Sequence, residues 1–272
     1  MSAVRLLALD LDGTILGGER PISRRTHEAV ARAMARDVRV VLATGRMYRS
    51  ALPYAASLDL DGPLLCYQGA YARQRPGTDG APGAILRHVT MPAAVAREVV
   101  HWAHDHGLSP HVNRDDRLVM ESGDGEAPDY ERHAGIRADF VIDLARALRG
   151  PVTKVLAVGP TGLPAQLLAA ARVVFAGRAE VTVSHPDYLE FVAPGVHKGA
   201  ALHWLAARLG VPAAATMAIG DQVNDLEMLA MAGIGVAMGG APSEVQAAAD
   251  HVTAPLEEDG AAQAIERFVL GR

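Results

Sequence analysis

The run Val4-Arg5-Leu6-Leu7-Ala8-Leu9, closed by Asp10-Leu11-Asp12-Gly13-Thr14, decides the fold expected of this chain. Its apolar part shows little alternation, as a strand covered on both faces of a parallel sheet does. It then ends abruptly in two carboxylates and a glycine. In extended chain, residues two apart point to the same side, so Asp10 and Asp12 are expected to share a direction. Neighbouring carboxylates repel unless a cation or a proton relieves them. A strand-ending turn with solvated acids has the same residues, and both readings stand on this stretch alone.

The pattern recurs along the chain. Residues 38–43 lead into Thr44-Gly45-Arg46, 64–67 into Gln68-Gly69, 216–219 into Gly220-Asp221, and 234–238 into Gly239-Gly240. Helical periods lie between these strands. Ser23 is placed as an N-cap before the stripe Ala29, Val30, Ala33 and Met34. Residues 197–209 put Ala201, Leu202, Leu205 and Leu209 on one face, with Gly210 as the stop. Strands alternating with helices predict an α/β fold with a doubly wound, Rossmann-like parallel sheet. Ligands of such sheets sit beyond the carboxyl ends of the strands, at the switch point, the edge to which all these polar residues belong.

The middle of the chain has another rhythm. A strand at 85–89 and a helix at 93–106 are followed by strands at 111–113 and 118–121, with Arg114-Asp115-Asp116 as their turn. A helix near 140–148, a strand at 153–158, a helix at 163–175 and strands at 181–184 and 189–192 complete it. Helix followed by paired strands, twice, predicts an inserted α+β cap. The expected division is core 1–84, cap 85–188 and core 189–272.

Composition excludes several classes. The chain has 272 residues and a formal net charge of −5. It has no basic run of the kind that binds a phosphate backbone, so no nucleic-acid partner is expected. The one cysteine, Cys66, allows no internal disulfide and reads as a buried strand thiol. No uncharged stretch approaches the roughly 18 residues that span a bilayer, and no cleavage site follows the first apolar run. A cytoplasmic protein with no membrane partner is therefore expected. No G-x-G-x-x-G follows the first strand, which argues against a dinucleotide. His101, His104 and His106 lie on one predicted helix without the further ligands zinc needs, and read as a solvated face.

Three other strand ends or helix starts carry chemistry. Gly220-Asp221-Gln222-Val223-Asn224-Asp225 is a second acidic cluster. Oxygens of Asp10, the Asp12 carbonyl and Asp221 would suit Mg²⁺, although an Asx-rich helix start would also contain these residues. Thr44 could hold a phosphoryl oxygen together with backbone N–H groups, or simply cap a helix. Lys198 stands in a first helical turn, where its charge opposes the macrodipole. It is either a surface lysine or one aimed at a phosphate or at Asp10. Asp187, Tyr188 and Glu190 lie near the return from cap to core, where a substrate could be met.

Together these elements resemble the haloacid dehalogenase superfamily, and within it the Cof-type phosphatases with a type IIB cap. Asp10-Leu11-Asp12-Gly13-Thr14 matches the first motif, Thr44-Gly45-Arg46 the second, Lys198-Gly199 the third, and Gly220-Asp221 with Asn224-Asp225 the fourth. The resemblance implies a Mg²⁺-dependent phosphatase acting on small phosphorylated metabolites, sugar phosphates foremost. It implies Asp10 as nucleophile, through an aspartyl-phosphate, and Asp12 as general acid and base. Thr44 and Lys198 would hold the phosphoryl group, with Gly45, Arg46, Gln68 and Gly69 as further phosphate or substrate contacts. Asp10, Asp12, Asp221, Asn224 and Asp225 would form the metal site. A phosphomutase, or a phospho-ligand binder without turnover, are the alternatives. Two positions depart from the family pattern, Gln68 and Gly240, where asparagine is usual.

Overall fold

The computed structural model describes residues 4–18, 21–125, 131–132 and 134–271. In chain order the elements are β1 (Leu6–Leu9), α1 (Arg24–Met34), β2 (Arg39–Leu42), α2 (Tyr48–Ser57), β3 (Leu64–Cys66), β4 (Tyr71–Arg73) and β5 (Ile85–His88). Then follow α3 (Ala93–Asp105), β6 (Ser109–Arg114), β7 (Arg117–Glu121), β8 (Ala138–Val141), α4 (Leu144–Ala147), β9 (Lys154–Val158), α5 (Leu163–Val174), β10 (Glu180–His185) and β11 (Tyr188–Val192). The last are α6 (Lys198–Arg208), β12 (Thr216–Gly220), α7 (Leu226–Met231), β13 (Ile234–Ala237), α8 (Ser243–Ala248), β14 (His251–Val252) and α9 (Gly260–Phe268).

The core sheet has the order β14-β13-β12-β1-β2 and is parallel throughout. The chain moves one way from β1 to β2 and the other way from β12 to β14, so the switch point lies between β1 and β12. Residues Leu6, Leu7, Ala8 and Leu9 of β1 are fully buried. Leu6 and Ala8 join the apolar cluster of Ala201, Leu202 and Leu205 on α6, and Leu7 and Leu9 join that of Ala29, Val30 and Ala33 on α1. At about 1.5–3 kcal/mol for each fully buried leucine, this two-sided burial explains a strand without alternation. Helix α1 starts where Ser23 accepts the amide of Thr26 at 3.1 Å, and Gly210 adopts φ +63° just beyond α6.

A smaller antiparallel sheet, β3-β4-β5, joins the core sheet's edge through a bridge from Ala43 to Leu65. The cap is a six-stranded sheet of order β10-β11-β9-β6-β7-β8, antiparallel except for the parallel pair β7–β8. On its outer face Trp102, Phe175 and Phe191 meet edge to face, with centroids 5.3–6.0 Å apart. Strand pairing changes after β5, which pairs with β4, and after β11, which stays in the cap sheet to Val192. We propose that the core–cap–core division has its joints at these two places.

One expected element differs. The helix near 140–148 is a strand, β8, followed by the four-residue α4. Asp143 caps α4 by accepting the amide of Arg146 at 2.8 Å, so the helix cannot begin earlier, and 138–141 pair with β7 instead. Strand β4, between Gly69 and the loop before β5, has no counterpart in the expected elements. The histidines of α3 and of its C-cap, His106, do not converge on one site. His104 faces Glu121 at 3.2 Å, His106 stacks on Trp102, and His101 is exposed. Cys66 is buried, and burial pushes its thiol well up.

Candidate active site

The register of the core sheet assembles the site. Leu9 is level with Ile219 and with Leu42, so Asp10, Asp221 and Thr44 emerge side by side at the carboxyl edge. The amide of Asp10 bonds the Ile219 carbonyl at 3.0 Å, and that of Ala43 bonds Leu9 at 2.8 Å, carrying the ladder to this point. Gly13 then turns with φ +82°, and a Cβ there would stand 2.1 Å from Oδ2 of Asp221. A glycine is needed for the two acidic strand ends to approach this closely. Thr14 closes the approach by donating its hydroxyl to Oδ1 of Asp221 at 2.9 Å.

Lys198, 1% exposed, lies between carboxylates. Its Nζ donates to Asp10 Oδ1 at 2.6 Å and to Asp225 Oδ1 at 2.7 Å. The other oxygen of Asp225 accepts the backbone amides of Asp221 and Gln222 at 3.0 and 3.1 Å. Asp225 therefore fixes both the lysine and the turn that carries Asp221. Burial, and next the charge of Asp225, raise the Asp10 carboxyl well above the usual carboxylate range, with Lys198 opposing them. Burial also raises Asp221, to about 6. For Lys198 burial works downward, but Asp10 and Asp225 outweigh it and the ammonium is held above its ordinary value.

Asp12 differs from Asp10 in every respect but its proximity. Its side chain is 44% exposed and is gripped by the Arg46 guanidinium, Nε to Oδ2 at 2.7 Å and Nη2 to Oδ1 at 2.6 Å. Thr44 is buried and accepts the amide of Arg46 at 3.1 Å. Gln68, in the left-handed region at φ 57°, bridges core and cap. Its Oε1 accepts from Asn224 Nδ2, and its Nε2 donates to Glu190 Oε2, both at 3.1 Å. Gly69 packs against Ala201 and the His197 carbonyl of α6. Gly240 is exposed, with open space around it.

These residues line a cleft between core and cap. Asp10, Asp12, Thr44, Gly45, Arg46 and Asn224 come from the core, and Lys154, Leu156, Ser184, His185, Tyr188 and Glu190 from the cap. Tyr188 and Glu190 are as expected near the return to the core. Lys154, Leu156, Ser184 and His185 were missed, although a lysine opening an otherwise apolar strand was a signal for Lys154. Burial holds the Tyr188 phenol up at about 12, with Asp187 and Glu190 adding to it, so it faces the cleft as a neutral donor beside the His185 ring at 4.8 Å.

The donor set fits a hard divalent cation. Asp10, Asp221 and Asp225 each offer an oxygen within 4.8 Å of the others, and oxygen donors are what Mg²⁺ prefers. Oδ1 of Asn224, on the same turn, is buried and accepts no bond among the described residues. Both oxygens of Asp225 are engaged, by Lys198 and by two backbone amides, and both of Asp221 are engaged as well, by Thr14 and Gln222. Each carboxylate oxygen has a second lone pair with which it could meet a cation.

A family model described as haloacid dehalogenase-like hydrolase matches residues 7–265. The chain belongs to the haloacid dehalogenase-like hydrolases. It is 34% identical over 240 residues to an HMP-PP phosphatase of Serratia proteamaculans, a match covering 87% of this chain and 84% of that one. It is 31% identical over 252 residues to an HMP-PP phosphatase of Escherichia coli K12, covering 91% and 89%. Among solved structures, it is similar to a haloacid dehalogenase-like hydrolase from Bacteroides thetaiotaomicron. That match has TM-score 0.82 and 30% identity and covers 97% and 99% of the two chains.

Proposed function

We propose that this chain is a Mg²⁺-dependent phosphatase that hydrolyses small phosphorylated metabolites, sugar phosphates among them, through a phosphoryl group carried on Asp10. The observation that carries the proposal is the buried Asp10–Lys198–Asp225 array beside Asp221, with Asp12 two residues on at the mouth of the cleft. A bound Mg²⁺, held by Asp10 and Asp221 with Asn224 nearby, would neutralise charge between the nucleophile and the phosphoryl oxygens.

In the first step an oxygen of Asp10 bonds to phosphorus as the ester oxygen leaves, and Asp12 gives that oxygen its proton. In the second, water bonds to the phosphorus of the aspartyl-phosphate. Asp12 takes the water's proton, and Asp10 is released as a carboxylate with free phosphate. Accelerations for phosphate monoesters reach about 10²¹-fold, and in such transfers positioning and charge stabilisation supply most of the effect. In this reading Lys198 and Thr44 do this for the phosphoryl oxygens. The different surroundings of the two aspartates suit the two roles. Asp10 is buried and held by a lysine, whereas Asp12 is partly solvated and reachable by a leaving group and then by water.

The test is phosphate release by the purified protein from a panel containing sugar phosphates, pyridoxal phosphate and HMP-PP, with Mg²⁺ and with EDTA. The relatives' names put HMP-PP on the panel. Release that needs Mg²⁺ is expected. No release from any compound, or an isomerised product without free phosphate, would refute the proposal.

A further inference from the structure

The segment after β2 carries Thr44, Gly45 and Arg46 and runs straight into α2. The core holds Thr44 and Arg46 by backbone bonds, Thr44 N–H to the Leu65 carbonyl at 2.8 Å, Gln68 N–H to the Thr44 carbonyl at 3.1 Å and Tyr67 N–H to the Arg46 carbonyl at 3.0 Å, but none of these satisfies the first amides of the helix. Met47 stands at its N-cap and makes no side-chain cap, so the first amides of α2 need a partner from elsewhere.

That partner comes from the cap. Asp116, at the tip of the β6–β7 hairpin, is buried, and its Oδ1 accepts the amide of Tyr48 at 3.1 Å. The same oxygen accepts the hydroxyl of Tyr67 at 2.7 Å, and Oδ2 faces Nε of Arg49 at 3.3 Å. An aspartate on the N-terminus of a helix both satisfies an orphan donor and complements the dipole. Here it sits 68 residues away in the chain, on the other domain.

A second cap residue holds the same segment. Nζ of Lys154, 2% exposed, donates to the carbonyl of Gly45 at 2.7 Å and pairs with Glu190 at 3.0 Å. Glu190 in turn accepts from Ser184 and from Gln68. A third link runs the other way, from the Ser50 hydroxyl to the carbonyl of Ala134 at 2.5 Å. Three separate parts of the cap thus grip core residues 45–50, next to the Arg46 that holds Asp12.

We propose that Asp116 and Lys154 are positioning residues, through which docking of the cap orders the core segment carrying Thr44, Gly45 and Arg46. Only the statement of what that segment holds, a phosphoryl group, rests on the phosphatase reading. When the cap lifts, the first amide of α2 loses its acceptor and the Gly45 carbonyl its ammonium, and the segment is held only by its core bonds at Thr44 and Arg46, so its geometry is fully fixed in the closed form.

The test is amide hydrogen exchange, read by mass spectrometry on the full chain, with inhibition by inorganic phosphate as a second measurement. Asp116→Ala is expected to speed exchange over residues 44–50 by about tenfold, the size of effect a lost N-cap gives. Asp116→Asn, which can still cap, is expected to stay near wild type. Lys154→Met alone would leave Glu190 buried without its cation, so the variant used is Lys154→Met with Glu190→Gln. It is expected to loosen residues 44–47 in the same way. Both loosening variants are expected to bind inorganic phosphate about tenfold more weakly in competition, whereas a residue that only stabilises the cap would leave that constant unchanged. Faster exchange confined to the cap, an unchanged phosphate constant in Asp116→Ala, or Asp116→Asn behaving like Asp116→Ala would each overturn the proposal. A wild-type protein inactive on every ester would instead refute the phosphatase reading, and the exchange measurements would still decide the coupling.

Discussion

The ammonium of Lys198 and the carboxylate of Asp10 meet at 2.6 Å across a sequence separation of 188 residues, with both side chains almost wholly buried. Neither charge would be stable there alone. Burial favours the neutral form of each, and the pair, completed by Asp225, keeps the lysine charged.

Lys198→Ala removes the one cation of this array and leaves Asp10, Asp221 and Asp225 facing one another. Breaking a buried pair by removing one partner costs about 3–5 kcal/mol, lessened here because the carboxyls can take up protons. A lower melting temperature is expected, together with a fall in kcat of about 10²–10³-fold, the scale for losing one donor to a developing charge. Steady-state kinetics beside a thermal melt check both. A variant with wild-type kcat would exclude the lysine from the reaction.

Asp10→Asn keeps the size of the side chain and removes one of three crowded carboxylates. The fold is expected to survive with no loss of melting temperature, while turnover drops by about 10⁶-fold or to background, as for other removed nucleophiles. Circular dichroism reports the fold and a phosphate-release assay the turnover. Phosphoryl incorporation sought by mass spectrometry should be found in the wild type and be absent from the variant. Retained turnover would refute the covalent route.

Metal binding should depend on pH through the raised carboxyls. Burial holds Asp221 at about 6 and Asp10 well above the usual range. Between the ordinary carboxylate value and these raised values, the metal-free folded protein binds more protons than the unfolded chain. Its stability therefore falls as pH rises through that window, and the whole penalty is present above it. A divalent cation takes the place of the protons. Mg²⁺ is expected to raise the melting temperature more at about pH 7.5 than at about pH 5. An equal shift at both would show that the cation binds elsewhere.

Arg46 fixes the orientation of Asp12 with two bonds, a geometry that lysine cannot reproduce. General acid–base catalysis contributes about 10²–10⁴-fold, and a freely rotating Asp12 forfeits part of it. Both Arg46→Ala and Arg46→Lys are expected to lower kcat by about tenfold or more. Full rescue by lysine in a kinetic comparison of the two would argue that only the charge matters.

Much of the core was legible because its chemistry is local. The uniformly apolar β1 demands cover on both faces. Asp10-Leu11-Asp12-Gly13-Thr14 and Gly220-Asp221 stand where two such strands stop, so strand positions alone put these acids on one edge. His197 is also as a local pattern would have it, accepting the amide of Ala200 at 3.2 Å as the cap of α6. The cap was less legible. Phe140 in β8 and Ile142 just after it are exposed, so this segment lacks the buried, uniformly apolar run that marks the core strands, and the expected helix near 140–148 starts only at the Asp143 cap of α4.

The sequence by itself determined which side chains end the core strands, because buried parallel strands and polar strand ends are written in consecutive residues. Only the tertiary structure decided their partners. Asp225 holds Lys198 and the turn that carries Asp221, Arg46 holds Asp12, and Asp116 and Lys154 reach from the cap to residues 45–50. The reason is that a hydrogen bond or ion pair between distant segments depends on how two packed bodies meet, and no local period or spacing encodes that distance.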